Sequence, residues 1–182
     1  MIVSHEILYD TALFGCSALA AIFDIRERRI PNKLVGFVLP GGILLHLALE
    51  GPTQACWAGL AALIGGAAFM VFHLAGGMGA GDVKLMAALA SVAGISDVKN
   101  LLIATVLTGA VFALALAAWR GALRRTLANV LVLVMHHRSR GLAAHPELNV
   151  SNTATLRLPY AVPMAVACGW LLSTHLISGG VR

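Results

Sequence analysis

The sequence predicts an all-α polytopic membrane protein, with about six transmembrane helices and one amphipathic helix on the cytoplasmic membrane surface. Three observations carry the prediction. Of 182 residues, 59% are hydrophobic and 12% charged, against about 45–50% and 25% in soluble domains. Apolar runs close to the roughly 20 residues needed to cross a bilayer recur along the chain. The basic residues then gather in alternate connections between those runs. Such a composition excludes a cytosolic enzyme, a secreted disulfide scaffold and an ordinary nucleic-acid-binding domain, despite a net charge of +5.

The predicted spans, in order, cover residues 7–23, 34–49, 55–75, 83–95, 101–119 and about 158–177. The fourth is short for a crossing and is expected to borrow flanking residues or to lie partly inside the bundle. The N-terminal residues 1–10 carry Glu6 and Asp10 and no Lys or Arg. A cleavable signal peptide needs a positive start, so the first span reads as a permanent helix. Asp10 reads as interfacial.

Polar breaks at 24–33 and 76–82 fall on one side, together with the stretch 120–157. Breaks at 50–54 and 96–100 and both termini fall on the other. The first set holds Arg26, Arg28, Arg29, Lys33, Lys84, Arg120, Arg124, Arg125, Arg138, Arg140 and Arg157, while the second holds Lys99 and Arg182. Positive charge concentrates on the cytoplasmic side, so both termini are expected outside. Trp57 and Trp119 then fall near opposite interfaces, and Trp170 sits in mid-span.

Within residues 120–135, Leu123, Leu127, Val130 or Leu131, and Val134 recur at helical spacing, bounded by Arg124 and Arg125 before and His136, His137 and Arg138 after. That pattern predicts an amphipathic helix on the inner leaflet, its basic residues meeting anionic lipid. Residues 141–155 lack periodicity and read as a cytoplasmic loop. The whole chain, 1–182, reads as a single integral-membrane domain. Cys16, Cys56 and Cys168 form no CxxC pair and read as small buried hydrophobes.

Acidic residues are few, and two stand out. Asp24 closes the first span within FDIRERRIPN, and Asp82 opens the fourth within GMGAGDVKL. Both are expected at the cytoplasmic ends of helices, where they could converge. Two carboxyls a few ångströms apart cannot both ionise, so they share a proton. The ionised member takes a proton from water as it attacks a peptide carbonyl, and the protonated member donates to the carbonyl oxygen. The plainer alternatives are a helix cap for Asp82 and a solvated flank for Asp24.

Gly79 and Gly81, after Gly76 and Gly77, permit positive φ and close approach of an extended substrate; a plain inter-helix loop is the alternative. Ile30-Pro31-Asn32 sets a rigid entry into the second helix. Leu158-Pro159-Tyr160-Ala161-Val162-Pro163 marks an irregular start to the last span, read either as a kink or as a lining of the site.

FDIRERRIPN, with Asp24, Arg26, Ile30, Pro31 and Asn32, resembles the first signature of type IV prepilin peptidases. GAGDVKL resembles their second, the GxGD motif of membrane aspartyl proteases. RLPYAVP is similar to the proline-containing stretch at the start of these enzymes' last helices. The resemblance implies an endopeptidase of the bacterial inner membrane that cuts the basic leader from prepilins or pilin-like precursors at the cytoplasmic face. It implies Asp24 and Asp82 as the catalytic pair, and no metal or organic cofactor. Larger members carry an N-terminal portion with CxxC motifs and N-methylate the new pilin end. This sequence, without CxxC, resembles the short protease-only forms serving Flp or Tad-type pili.

Lys84 is a candidate to tune the pair or to meet an acidic substrate residue, with a snorkelling lysine as the alternative. Arg26 and Arg29 are candidates to orient Asp24, a placement that topology explains equally well. His46 and His73 read as structural donors. His136, His137 and His145 lack the carboxylates and spacing of a metal site. The competing reading is a small transporter or proton-conducting protein using Asp24 and Asp82 as relay carboxylates. A scaffold for a secretion machine and an enzyme cutting within the bilayer are further alternatives.

Overall fold

The computed structural model describes residues 2–141 and 159–179, and among these every regular element is helical. The helices are α1 (Ile2–Glu27), α2 (Asn32–Glu50), α3 (Pro52–Leu74), α4 (Ala80–Trp119), α5 (Leu123–Arg140) and α6 (Ala161–Gly179). Residues 142–158, which take in all but the first residue of the predicted loop, His145 included, together with Arg157 and Leu158, lie outside the described residues, as does Arg182. α1, α2, α3 and α4 are each long and apolar enough to cross a membrane, and α6 adds a shorter apolar stretch. Phe37, Leu63 and Val111 stand exposed, as lipid-facing side chains do.

The connections follow from their residues. Pro31 caps α2 in an extended conformation, and its carbonyl accepts the Leu34 N–H at 3.0 Å. The break predicted at 50–54 contracts to Gly51, whose φ of 94° turns the chain. Pro52 can then begin α3 at once, because the first helical position needs no N–H. α3 ends with Gly76 at φ 78°. The Gly77 N–H returns to the Phe72 carbonyl and the Gly76 N–H to that of His73, both at 2.9 Å. This is a Schellman arrangement, and it explains the paired glycines. His73 Nδ1 then donates to the Met78 carbonyl at 2.9 Å, the structural role expected of it.

α4 contains both the fourth and the fifth predicted spans. Its regularity fails at Gly94, with φ 72° and ψ 179°, backbone that glycine alone adopts readily. Residues at both ends of α4, Asp82 and Ala117 among them, line one cavity, so the element folds back on itself at the glycine. The polar break expected at 96–100 is helical instead. A one-residue reversal needs no loop, and Ser96 and Asn100 turn their side chains onto the Asp97 carboxylate at 3.1 and 3.2 Å. Breaking the helix strips carbonyls of their partners. His46 Nε2 donates to one of them, the Val92 carbonyl, at 3.2 Å, and its ring stacks on Tyr9 at 4.3 Å.

The limb before Gly94 is the centre of the bundle, with Leu85, Met86, Ala88, Leu89 and Ala90 wholly buried. Its shortness in the sequence has this cause: it meets protein rather than lipid. α2 lies against it through the stripe Val38, Gly42 and His46, spaced at four residues. Small residues bring these helices close, as packing within membranes favours. α1 packs on α6, and α4 touches every other helix. Trp57, early in α3, and Trp119, at the end of α4, are exposed at opposite ends of the bundle.

α5 forms where the apolar periodicity placed a helix, and Leu127, Val130, Leu131, Val134 and Met135 are all exposed along it. Asp10 differs from the interfacial expectation. It is 5% exposed and paired with His175 of α6 at 2.6 Å, because α6 covers that face of α1.

Candidate active site

Asp24 sits in the last turn of α1 and Asp82 in the first turn of α4. Both open onto one cavity of about 660 Å³. The helices converge at this end of the bundle because α1 is followed by a short turn into α2, while the limb of α4 that begins at Ala80 and carries Asp82 runs alongside α2. Ile30, buried in the α1–α2 turn, rests against Gly81 at the start of α4.

Each carboxylate is held by a backbone amide. Asp82 Oδ2 accepts the Gly79 N–H at 3.1 Å, three residues back; Gly79 is the N-cap of α4, and Asp82, inside the first turn, caps back onto it instead of being the N-cap itself. Asp24 is 8% exposed, and its Oδ2 accepts the N–H of Ala161, the first residue of α6, at 3.2 Å. The prolines of the last span account for this contact. Pro163 has no N–H, the Val162 N–H goes to the Pro159 carbonyl at 3.1 Å, and that of Met164 goes to Tyr160 at 3.3 Å. Ala161 retains a free donor at the positive end of α6, and Asp24 takes it. Among the described residues, the second oxygen of each carboxylate takes no hydrogen bond.

Other predicted residues are sorted by the geometry. Gly79, Gly81, Lys84 and Asn32 line the cavity with the two aspartates. Lys84 Nζ donates to Asn32 Oδ1 at 3.4 Å, joining the two sequence signatures directly. Pro31 works as the cap of α2 rather than as cavity wall. Arg26 is exposed and is not among the residues lining the cavity; Arg29 is. The Asp24 carboxylate is oriented by the Ala161 amide instead of by either arginine. The expected need for positive φ is met at Gly76, whereas Gly79 has φ −77° and Gly81 is helical. A Cβ at Gly79 would meet Asp82 Oδ2 at 3.4 Å and one at Gly81 would meet Ile30 at 3.7 Å, so close packing does not require glycine at either position.

Arg28, Met78, Arg120 and Thr126 line the cavity without having been given a site role from the sequence, whereas Tyr160 comes from the proline-containing stretch read as a kink or a lining of the site. Tyr160 sits in the turn before α6 and lines the cavity beside Pro159. Its signal was the paired prolines around it. Arg28, at φ 50°, ends α1 in the left-handed region. Among the described residues, no group of three or more His, Cys, Asp or Glu side chains is arranged to hold a metal ion.

Fold and site together define a polytopic membrane protein with two carboxylates facing one cavity at helix ends. The type IV leader peptidase family matches residues 11–114, a segment that includes both aspartates. The chain therefore belongs to the type IV leader peptidase family. It is similar to the prepilin leader peptidase/N-methyltransferase of Bacillus subtilis (strain 168), at 31% identity over 113 residues. Those residues are 60% of this chain and 45% of the relative, so the chain matches less than half the length of that protein. No solved structure matches it.

Proposed function

We propose that this protein is a membrane aspartyl endopeptidase that removes the basic leader from prepilins or pilin-like precursors, with Asp24 and Asp82 as the catalytic pair. The observation that carries the reading is their convergence on one cavity from helices far apart in sequence. One aspartate, ionised, removes a proton from water as the water oxygen bonds to the peptide carbonyl carbon. The other, protonated, donates to the carbonyl oxygen. As the tetrahedral intermediate collapses, the C–N bond breaks and the proton taken from water passes to the departing amine. Gly79 and Gly81 give an extended peptide room beside Asp82, and the Lys84–Asn32 contact holds the two signatures together.

The distribution of Lys and Arg supports a cytoplasmic site in the inner membrane, with both termini outside. The test is cleavage of pilin-like precursors by the chain in reconstituted membranes, with mature ends read by mass spectrometry. A precursor cut just before its apolar segment is the expected product. A folded protein that cuts none of a panel of precursors would reject the reading.

Sharing one proton sets a pH dependence. Activity is expected to fall both where the pair is fully protonated and where it is fully ionised, giving a bell-shaped profile of kcat/KM. A flat profile with chemistry rate-limiting would count against the dyad.

Ala161→Pro isolates one contact. Proline is accepted at the first position of a helix, so α6 is expected to survive, but the donor to Asp24 is gone. Cleavage is expected to fall about tenfold to a hundredfold, matching the roughly 1–3 kcal/mol that a buried acceptor loses with its donor. Full activity in a folded variant would remove Ala161 from the site.

α5 serves this reading as a membrane-surface helix. Leu127, Val130, Leu131 and Val134 enter the interface, while Arg124, Arg125 and Arg138 meet anionic headgroups. Hydrogen exchange of α5 is expected to slow in phosphatidylglycerol vesicles relative to phosphatidylcholine, and to quicken again in Leu131→Asp. Equal exchange in both lipids would show that anionic lipid does not hold it.

A further inference from the structure

Asp10, Ser17 and Asp24 follow one another at seven-residue intervals along α1, and all three are buried. On α6, Ala161, Cys168 and His175 have the same spacing. The two series meet rung by rung in antiparallel order. Asp24 takes the Ala161 N–H at 3.2 Å, the Cys168 thiol lies beside the Ser17 hydroxyl, and His175 Nδ1 donates to Asp10 Oδ2 at 2.6 Å. Asp97, beyond the reversal of α4, stands 4.0 Å from the other ring nitrogen of His175.

Between the rungs the interface is small and apolar, with Leu13, Ala20, Met164 and Ala167 buried. In a bilayer such a surface has no hydrophobic preference for one axial setting over another, because lipid is as apolar as the neighbouring helix. A slip of one turn, about 5.4 Å, would keep apolar contact and carry Asp24 away from the α6 N-terminus. Buried polar pairs are the device that fixes register in packed helices.

We propose that the Asp10–His175 pair is a register latch. It sets α1 against α6 at one end and so positions Asp24 under the Ala161 amide at the other, two heptads or about 21 Å away. Asp10 and His175 are positioning residues that touch no reacting atom. The effect on cleavage rests on the proposed role of Asp24, and the register itself does not.

The test uses the full chain in membranes, with Cys16→Ala and Cys56→Ala leaving Cys168, and Ser17→Cys placing a thiol on the facing rung. Disulfide yield after mild oxidation, read by mass spectrometry, reports register without reference to activity. High yield is expected with the native pair and a several-fold loss in Asp10→Ala or His175→Ala. Recovery is expected when Asp10→His is combined with His175→Asp and Asp97→Asn, which rebuilds the pair with the partners exchanged and removes the carboxylate that would otherwise face the new one at position 175. With Ser17 intact, kcat for cleavage should follow the same order, with KM little changed.

Yield indifferent to Asp10→Ala, or not restored by the exchange, overturns the latch. Yield that falls while kcat holds overturns its link to Asp24. If the single variants fail to accumulate, normal accumulation of the exchanged pair supports the proposal and its loss overturns it. If the unaltered chain cuts no precursor, the proposed function fails while the disulfide yields still decide the register.

Discussion

Asp24→Asn and Asp82→Asn are each expected to lower cleavage by about 10²- to 10⁴-fold, the range that a positioned proton donor or acceptor contributes. Asparagine keeps the shape of the carboxylate and one carbonyl oxygen. At position 24 that oxygen can still accept the Ala161 N–H, and at position 82 the Gly79 N–H. Folding should therefore persist, and the loss should fall on chemistry. An amide neither removes the proton from water nor delivers one to the peptide oxygen. Because the two groups act as a unit, the double variant should be little worse than either single one. Precursor processing in reconstituted membranes measures the rates, and thermal unfolding in the same lipid checks the fold. Substantial turnover by either variant would place the chemistry elsewhere.

Gly42→Ala is expected to produce the largest loss of stability. A Cβ at Gly42 would lie 2.5 Å from Ser91 Oγ and 2.8 Å from both Ser91 C and Val92 N. Two of these are backbone atoms in the central limb of α4, and they cannot withdraw without displacing the helix. Ser91 also donates to the Leu39 carbonyl of α2 at 3.0 Å, a bond that separation of the helices would break. Overpacking of this kind costs about 3 kcal/mol. Gly41→Ala is the matched control, since a Cβ there meets nothing within 4 Å. It should be neutral or stabilising by up to about 1 kcal/mol, the gain in helix propensity. Unfolding by denaturing detergent separates the two, and equal stability would mean that α2 and α4 are not in this contact.

The sequence carried the membrane character, the helical class and both aspartates, because each leaves a local mark. Lipid demands long apolar runs, and rare acids at their ends are conspicuous. The pairing of α2 with α4 left less trace, since Gly42 looks like Gly41 until Ser91 is placed against it. The Ala161 amide was marked only indirectly, by prolines that consume or remove the neighbouring donors. Arg26 illustrates the opposite error. It lies two residues from Asp24, yet on a helix that spacing points away, and the residue that orients Asp24 comes from the far end of the chain. Gly94 was hidden for a related reason: the polar cluster at 96–100 marked the reversal, but the residue that makes it stands just before.

The glycine reversal bears on how the protein reaches its membrane. A 40-residue apolar segment offers an insertion machine no loop at which to pause. Left straight it would be about 60 Å long, twice the hydrocarbon thickness. Broken at Gly94, the two limbs can enter the bilayer as a hairpin with Asp97 and Lys99 near its tip. His46, already delivered on α2, is waiting there to receive the Val92 carbonyl. The order of synthesis thus supplies the cap before the break that needs it.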